Sequence, residues 1–445
     1  MKGFADAAAL ESALALLHDA ELMEFVQEHQ HNYLYRADFM KEPMPGDADP
    51  ALMWELVSFV RRMAGRPTVR ELNKSQPIGR QCFWTATPEM IAGLNDIVSR
   101  SNPSAQLTQS LARLSTRPAI QQLALEELEA AGYRDGVDVE HEELREIVCD
   151  KRAPETPEER LFANARELIE EIEELASEPF NVELIAYMHE RLALDTKGLR
   201  VEPRPSPAPK TSVPSPPSDQ LLESIVAGCE NPCLWGPHPL FGALINADTI
   251  WVTPAFERFN GLMELLIRWR SYYAIGVPAL RFVPLSKMRL DWERRLVGPP
   301  DAPMRYGEAL VVSSFGVDST PYSQQMIYFL DRGLNRLERI VARTEEIGER
   351  CKHLIFEDRR LTLRQKQLLA DLVDNPLLVV DVGMYEKRFD IAASTARADL
   401  TRLVSLNFLL TEFSAKKQVF WLRPDISRVL ASRSAASTPA SSTQA

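Results

Sequence analysis

The sequence predicts a mainly α-helical protein, and three observations carry that prediction. Apolar residues recur at spacings of three and four over long stretches, prolines and glycines gather in a few connections, and strand-like alternation shows only near Val419 and Trp421. Residues 1–105 read as an N-terminal helical region of short helices, with Pro43, Pro45, Gly46 and Pro50 marking a connection between two periodic stretches. Residues 106–355 read as one helical domain. Its signal is strong from Gln106 to Glu178, where Leu161, Ala165, Leu168, Ile172 and Leu175 form a core-facing stripe beside an acidic solvent face. Asn181 to Leu194 is another such helix, with Gly198 as its stop. Residues 203–219 hold seven prolines and predict an extended, exposed segment, either a flexible flap-like loop or a semi-rigid spacer. Helix resumes from Gln220 to about Tyr273 and from Ser323 to Leu354, where Ile327, Leu330, Leu334, Leu337, Ile340 and Val341 form the stripe. The small polar residues of 431–445 predict a disordered tail.

At 445 residues the chain exceeds one ordinary domain, and 45% hydrophobic with 26% charged residues is the balance of a soluble globular protein. No stretch reaches the roughly 20 apolar residues of a membrane span, and the first residues carry acids where a secretory leader would be basic. We therefore expect no membrane partner and a cytoplasmic location. Five scattered cysteines fit a reducing compartment. Cys229, Cys233 and His238 lack a clear fourth ligand, so no metal and no cofactor is expected. His29, His31 and His189 read as surface or satisfied core histidines, and Trp251, Phe256, Phe259, Trp269 and Tyr272 as core aromatics. The net charge is −12, which opposes contact with phosphate backbones over most of the surface. Residues 359–428 depart from that average with 12 Lys and Arg against 8 Asp and Glu, a net of +4 that leaves −16 for the rest. A nucleic-acid partner is expected to touch only this part.

Residues 359–430 run as a helix (LTLRQKQLLADLVD), a second helical segment at Met384 to Phe389, a third (IAASTARADLTRLVSLNFLL) and a hairpin (TEFSAKKQVFWL). That order is the order of a winged helix-turn-helix domain. Ser394 stands where an N-cap would open the third helix. Ala396, Leu400, Leu403 and Val404 form its buried stripe, leaving Thr395, Arg397, Thr401 and Arg402 on or beside the free face. In a helix-turn-helix the second helix of the motif enters the major groove by its N-terminal residues while nearby cations hold phosphates. Ser394, Thr395, Arg397, Thr401, Arg402, Lys416 and Lys417 are the candidate DNA-binding residues. The competing reading is a packing or protein-interaction module with a solvated basic face.

The segment His238 to Trp269, HPLFGALINADTIWVTPAFERFNGLMELLIRW, resembles the core of the Fic (Fido) family of nucleotidyl transferases. That family pairs a helix beginning HPL with an HPFxxGNGR loop sixteen residues after the His. Here His238, Pro239 and Leu240 match the start, and Phe256, Asn260 and Gly261 match within the loop. Tyr33 to Pro45, Phe83-Trp84-Thr85, the helix TPEERLFANARELIEEI, Gly198 to Arg200 and Phe282 to Lys287 resemble flanking elements, so the likeness covers most of residues 30–430. The resemblance implies a Fic-like helical bundle with an N-terminal helical extension and the winged domain at its end.

It also implies that the transferase chemistry is lost. The loop His, general base of the family, falls on Pro254, the metal-binding acid on Arg258, a phosphate-side glycine on Phe259, and the two arginines on Leu262 and Leu265. No catalytic residue is therefore expected, and Pro254, Phe256, Arg258, Asn260, Gly261 and Leu262 are vestigial positions. Family members often carry an inhibitory SxxxEG helix, and Ala131 to Gly136, AGYRDG, stands in its place with Asp135 for the Glu. With Leu265 in place of arginine, Asp135 is expected to have no partner. The expectation is a catalytically inactive, homodimeric, DNA-binding regulator. The alternatives are an AMP transferase with a divergent motif and a non-enzymatic interaction scaffold.

Overall fold

Helices make up most of the described residues, as the spacing of the apolar residues predicts. The computed structural model describes residues 19–31, 34, 36–67, 83–199, 201, 221–223, 225–227, 238–252, 254–294, 320–374, 378–414, 417–423 and 425–430. The expectations for the flap 203–219, Cys229, Cys233, Lys416 and the tail 431–445 fall outside the described residues, as do those for the side chains of His31, Trp251 and Lys417. By their contacts the residues divide into two units, 1–105 with 123–335, and 106–122 with 336–445. Residues 106–122, read from the sequence as part of the middle domain, thus group with the C-terminal unit. Long-range polar contacts agree with that grouping, since the Ser110 hydroxyl and the Arg113 guanidinium bind the Glu345 carboxylate at 2.7 and 3.0 Å.

The first unit begins with α1 (Ala20–His31), α2 (Arg36–Phe39) and α3 (Pro50–Ala64), which share a small core of Leu22, Val26, Phe39, Met53, Leu56 and Val57. Asp49 caps α3 by accepting the Ala51 N–H, and Pro50 sits at its first position, where no N–H is needed. His29 is buried there, bonded through Nδ1 to the Phe25 carbonyl and stacked on the Phe25 ring at 4.0 Å, which makes it a satisfied core residue. A short antiparallel pair, β1 (Arg66–Pro67) and β2 (Phe83–Trp84), leads into α4 (Pro88–Ser101). Trp84 stacks on Phe241 at 4.1 Å.

In chain order then follow α5 (Gln106–Leu114), which with the start of α6 belongs to the second unit, and α6 (Pro118–Arg134), α7 (His141–Val148), α8 (Pro157–Glu170), α9 (Ile172–Ser177) and α10 (Val182–Ala193). Thr156 and Glu159 make a reciprocal capping box at the start of α8, and all five residues of the expected stripe from Leu161 to Leu175 are buried. Helix α10 ends at Ala193, ahead of the expected stop at Gly198, because Asp195 already turns the chain with φ 57°. The unit closes with α11 (Pro239–Val252), α12 (Asn260–Ala274), a 3-10 turn (Pro278–Phe282), α13 (Leu285–Arg294) and the first part of α14 (Thr320–Glu357). Every residue of α12 from Asn260 to Tyr272 is buried, Glu264, Arg268 and Arg270 among them, so the helix is covered on every face. A Schellman turn ends it: Val277 N–H reaches the Tyr272 carbonyl at 2.8 Å with Gly276 at φ 76°.

The second unit holds α5, the start of α6 and the rest of α14, then α15 (Leu363–Asp374), β3 (Val380–Asp381), α16 (Val382–Phe389), α17 (Ala393–Ser405), β4 (Leu409–Ser414) and β5 (Lys417–Leu422). The three strands pair antiparallel in the order β3-β5-β4. One apolar core joins all of them, including Leu368, Leu372, Tyr385, Leu400, Leu403, Phe408, Phe420 and Leu422. On β5 it is Phe420 and Leu422 that point inward, while Val419 and Trp421 are half-exposed.

Candidate functional site

Two places bear on function, one in each unit. In the first, residues 254–259 form a loop that ends at the N-terminus of α12. Asn260 holds the loop closed, since its Oδ1 accepts the N–H groups of Ala255 and Phe256 at 3.1 and 3.0 Å and its Nδ2 donates to the Phe256 carbonyl at 2.7 Å. Phe259 has φ 66°, a left-handed conformation that costs a side-chain-bearing residue about 1–2 kcal/mol and that its fully buried ring helps to hold. His189 stacks on Phe256 at 3.9 Å and bonds the Arg258 carbonyl through Nε2 at 3.2 Å, while burial holds its pKa below the usual value. Arg258 donates to the Leu199 carbonyl and lies 5.0 Å over the Phe259 ring, whereas Pro254 and Glu257 are exposed. His238 stands before α11, where its Nδ1 accepts the Leu240 N–H at 3.0 Å.

The N-terminus of α12 is occupied by the chain itself. Helix α6 ends in a second Schellman turn, with Gly136 at φ 78° and the Val137 N–H on the Gly132 carbonyl, which aims Asp135 across at α12. Its Oδ1 accepts the Gly261 N–H at 2.7 Å and its Oδ2 the Leu262 N–H at 2.9 Å. The expectation that Asp135 lacks a partner is thereby corrected: backbone donors at a helix N-terminus, rather than an arginine side chain, receive the carboxylate. Leu262 itself turns into the core. The approach is close enough that a Cβ on Gly261 would lie 2.6 Å from the Ala131 carbonyl oxygen. Burial pushes the Asp135 carboxyl up to about 7, against the pull of the two N–H groups and Arg134.

Beneath this contact lies a buried ionic cluster the sequence reading did not foresee. Arg268 donates to Glu127 at 2.7 Å, Glu264 at 2.9 Å and the Ser286 hydroxyl at 2.8 Å, and Glu127 also accepts the Ser286 N–H at 2.7 Å. Arg134 and Arg289 stand 3.6 and 3.8 Å from Glu264. Burial works against the Glu264 carboxylate, but Arg268, Arg289 and Arg134 together keep its pKa below the ordinary value. The cluster ties α6, α12 and α13 together around groups already committed to one another.

In the second unit, α16 and α17 are joined by Asp390, Ile391 and Ala392, a three-residue turn in which Asp390 has φ 49°. Helix α17 opens two residues earlier than the sequence reading has it. Ala392 is the N-cap, without a side-chain bond, and the Ala396 N–H already reaches the Ala392 carbonyl at 3.0 Å. The cause is the left-handed Asp390, which redirects the chain so that Ser394 enters the first turn instead of capping it. Ser394, Thr395, Arg397, Thr401 and Arg402 are all exposed, and Ala396, Leu400 and Leu403 are buried. Arg402 donates to the Arg360 carbonyl at 2.9 Å, while Arg397 bonds no other described residue. Lys417 opens β5, where its backbone pairs with Ser414 of β4.

Asp399 is the acid of α17, and it faces inward. Its carboxylate accepts from Arg364 Nη2 at 3.1 Å, Gln365 Nε2 at 3.0 Å and the Tyr385 hydroxyl at 3.3 Å. Gln365 is itself half of a capping box with Thr362, whose N–H bonds Gln365 Oε1 at 3.0 Å. One carboxylate therefore fixes α17 against α15 and α16. Two signals in the sequence point to it: the text Thr362-x-x-Gln365, and the helical spacing of Asp399 with the buried Ala396 and Leu403.

Among the described residues no three His, Cys, Asp or Glu side chains gather as a metal site would need, and no described helix is long and apolar enough to cross a membrane. Compared with protein-family models the chain matches none, and no curated protein is significantly similar to it.

Proposed function

We propose that the chain is a DNA-binding transcriptional regulator, acting through residues 359–430 as a winged helix on a Fic-like body that has no transferase activity. The observation that carries this reading is the outer surface of α17. Its exposed residues Ala393, Ser394, Thr395, Arg397, Ala398, Thr401, Arg402 and Ser405 include two arginines and no acid, on a chain whose net charge is −12. Phosphates are met by cations and exposed N–H groups, and a single carboxylate on such a surface would oppose them. The three-residue turn before α17 and the order β3-β5-β4 support the same reading. Operator symmetry in such proteins mirrors a protein two-fold, so the regulator acts as a homodimer.

The inactive body is supported by the loop before α12. Pro254 has no titratable group, Arg258 would repel a metal ion, and the N–H groups of Gly261 and Leu262 that a phosphate would need are held by Asp135. Fluorescence anisotropy of the full chain with duplex DNA from its own promoter, across a salt series, tests the regulator. Affinity falling steeply with salt supports it, and absence of binding at low salt favours an interaction scaffold. Incubation with labelled ATP and Mg²⁺ tests the body, where self-labelling above background would show a divergent AMP transferase.

A further inference from the structure

We infer that Arg397 is the residue by which this protein reads base sequence, and that what it reads is a guanine in the major groove. The inference rests on the proposed DNA-binding role of α17 and assigns its specificity to one side chain.

Of the two cations exposed on α17, one is already engaged. Arg402 bonds the Arg360 carbonyl, which holds its guanidinium at the side of the helix, towards α15. Arg397 is exposed and bonds no other described residue, so all five of its N–H donors are available. It is the fifth residue of α17. Helical side chains lean towards the helix N-terminus, the end that leads into the groove in a helix-turn-helix, so Arg397 extends towards base edges rather than back to solvent.

Its neighbours are small. Ser394 and Thr401 lie three and four residues away on the same face, and Ala398 is beside it, all exposed. Among the described residues of that face of α17 none blocks close approach of a duplex, and no other side chain there is long enough to compete for the base. Guanine alone presents two acceptors side by side in the major groove, O6 and N7, and the planar fork of a guanidinium matches them. Asp399, the acid two residues on, cannot divert the guanidinium because its carboxylate is turned inward onto Arg364, Gln365 and Tyr385.

The test is selection from a library of duplexes with a randomised core of about 20 base pairs, enough for two half-sites one helical turn apart. The full-length wild type, Arg397→Ala and Arg402→Ala are compared, with equal unfolding midpoints as the check on folding. The wild type should select a motif containing a fixed guanine. Arg397→Ala should lose preference at that position and bind the selected duplex about 10- to 100-fold more weakly, while its affinity for a random duplex stays nearly unchanged. Arg402→Ala should weaken selected and random duplexes alike. If Arg397→Ala selects the same motif with undiminished affinity, or weakens random and selected duplexes equally, base reading by Arg397 is overturned while DNA binding stands. If the wild type retains no duplex at about 50 mM salt, the underlying reading fails too.

Discussion

Replacing Asp399 by alanine removes the acceptor on which three side chains from two other helices converge. Gln365 and Tyr385 are fully buried, so each loses a partner that water cannot supply. A buried donor left unsatisfied costs about 1–3 kcal/mol. Gln365 keeps its bond to the Thr362 N–H and a longer one to the Asp399 carbonyl, so its loss lies at the low end. Tyr385, whose hydroxyl is held above the usual pKa by burial and by the adjacent Asp399, has no second acceptor among the described residues and lies nearer the high end. Arg364 is partly exposed and rehydrates at little cost. The sum is about 3 kcal/mol, or roughly a 150-fold change in a local opening constant. Hydrogen exchange of the intact protein resolves this locally: amides of α17 and β4 should exchange about 100-fold faster in the variant, with α12 unchanged. Asp399→Asn, which keeps the shape and one acceptor, should fall between the two. A change below about tenfold for Asp399→Ala would refute the idea that this carboxylate fixes α17.

Gly261→Ala should destabilise the first unit by about 1–3 kcal/mol in denaturant, because the new methyl meets the backbone of α6 rather than a movable side chain. Asp135 titrates near 7 when folded against 3.8 as the reference. Its contribution is therefore fully present below about pH 4 and lost as pH rises through about 7, by at most about 4 kcal/mol. Urea midpoints of the wild type should fall relative to Asp135→Asn between pH 5 and pH 8, and a rise would mean that the α12 N–H groups outweigh burial. Glu127→Ala should cost about 3–5 kcal/mol in equilibrium unfolding, since it leaves Arg268 buried without its closest carboxylate. Arg268→Met paired with that change should recover part of the loss.

The helices were legible because their information is periodic: the stripe from Leu161 to Leu175 names core positions whatever the surroundings, and that from Ile327 to Val341 does so except at the half-buried Ile340. What the sequence hid was long-range or carried by backbone. Asp135 finds main-chain donors, which have no letter in the sequence, so comparing side chains alone left it without a partner. The grouping of residues 106–122 with the C-terminal unit goes with contacts to residues such as Glu345, more than two hundred positions away. Ser394 has the chemistry of a cap, but a left-handed residue four positions earlier decides where the helix starts. The exposed face of α17, by contrast, follows from helical spacing alone, which is why its candidate residues are all found on the surface.

The two sites differ by the placement of one acid each. At α12 the positive end of a buried helix meets a carboxylate from the same chain, and Gly261 is needed for that carboxylate to come close. The seat that would welcome a phosphate is therefore satisfied from within. At α17 the corresponding N-cap is Ala392, which brings no side chain to the first turn, and the helix's acid is drawn into the core by Arg364, Gln365 and Tyr385. That helix end is left to cations and exposed N–H groups. On the proposed reading, an acidic chain can approach DNA only where its carboxylates have been withdrawn, and Asp399 is the residue that does the withdrawing. The same change that loosens α17, when made as Asp399→Asn, should then cost operator affinity through helix placement and not through charge, since the lost charge was never on the surface.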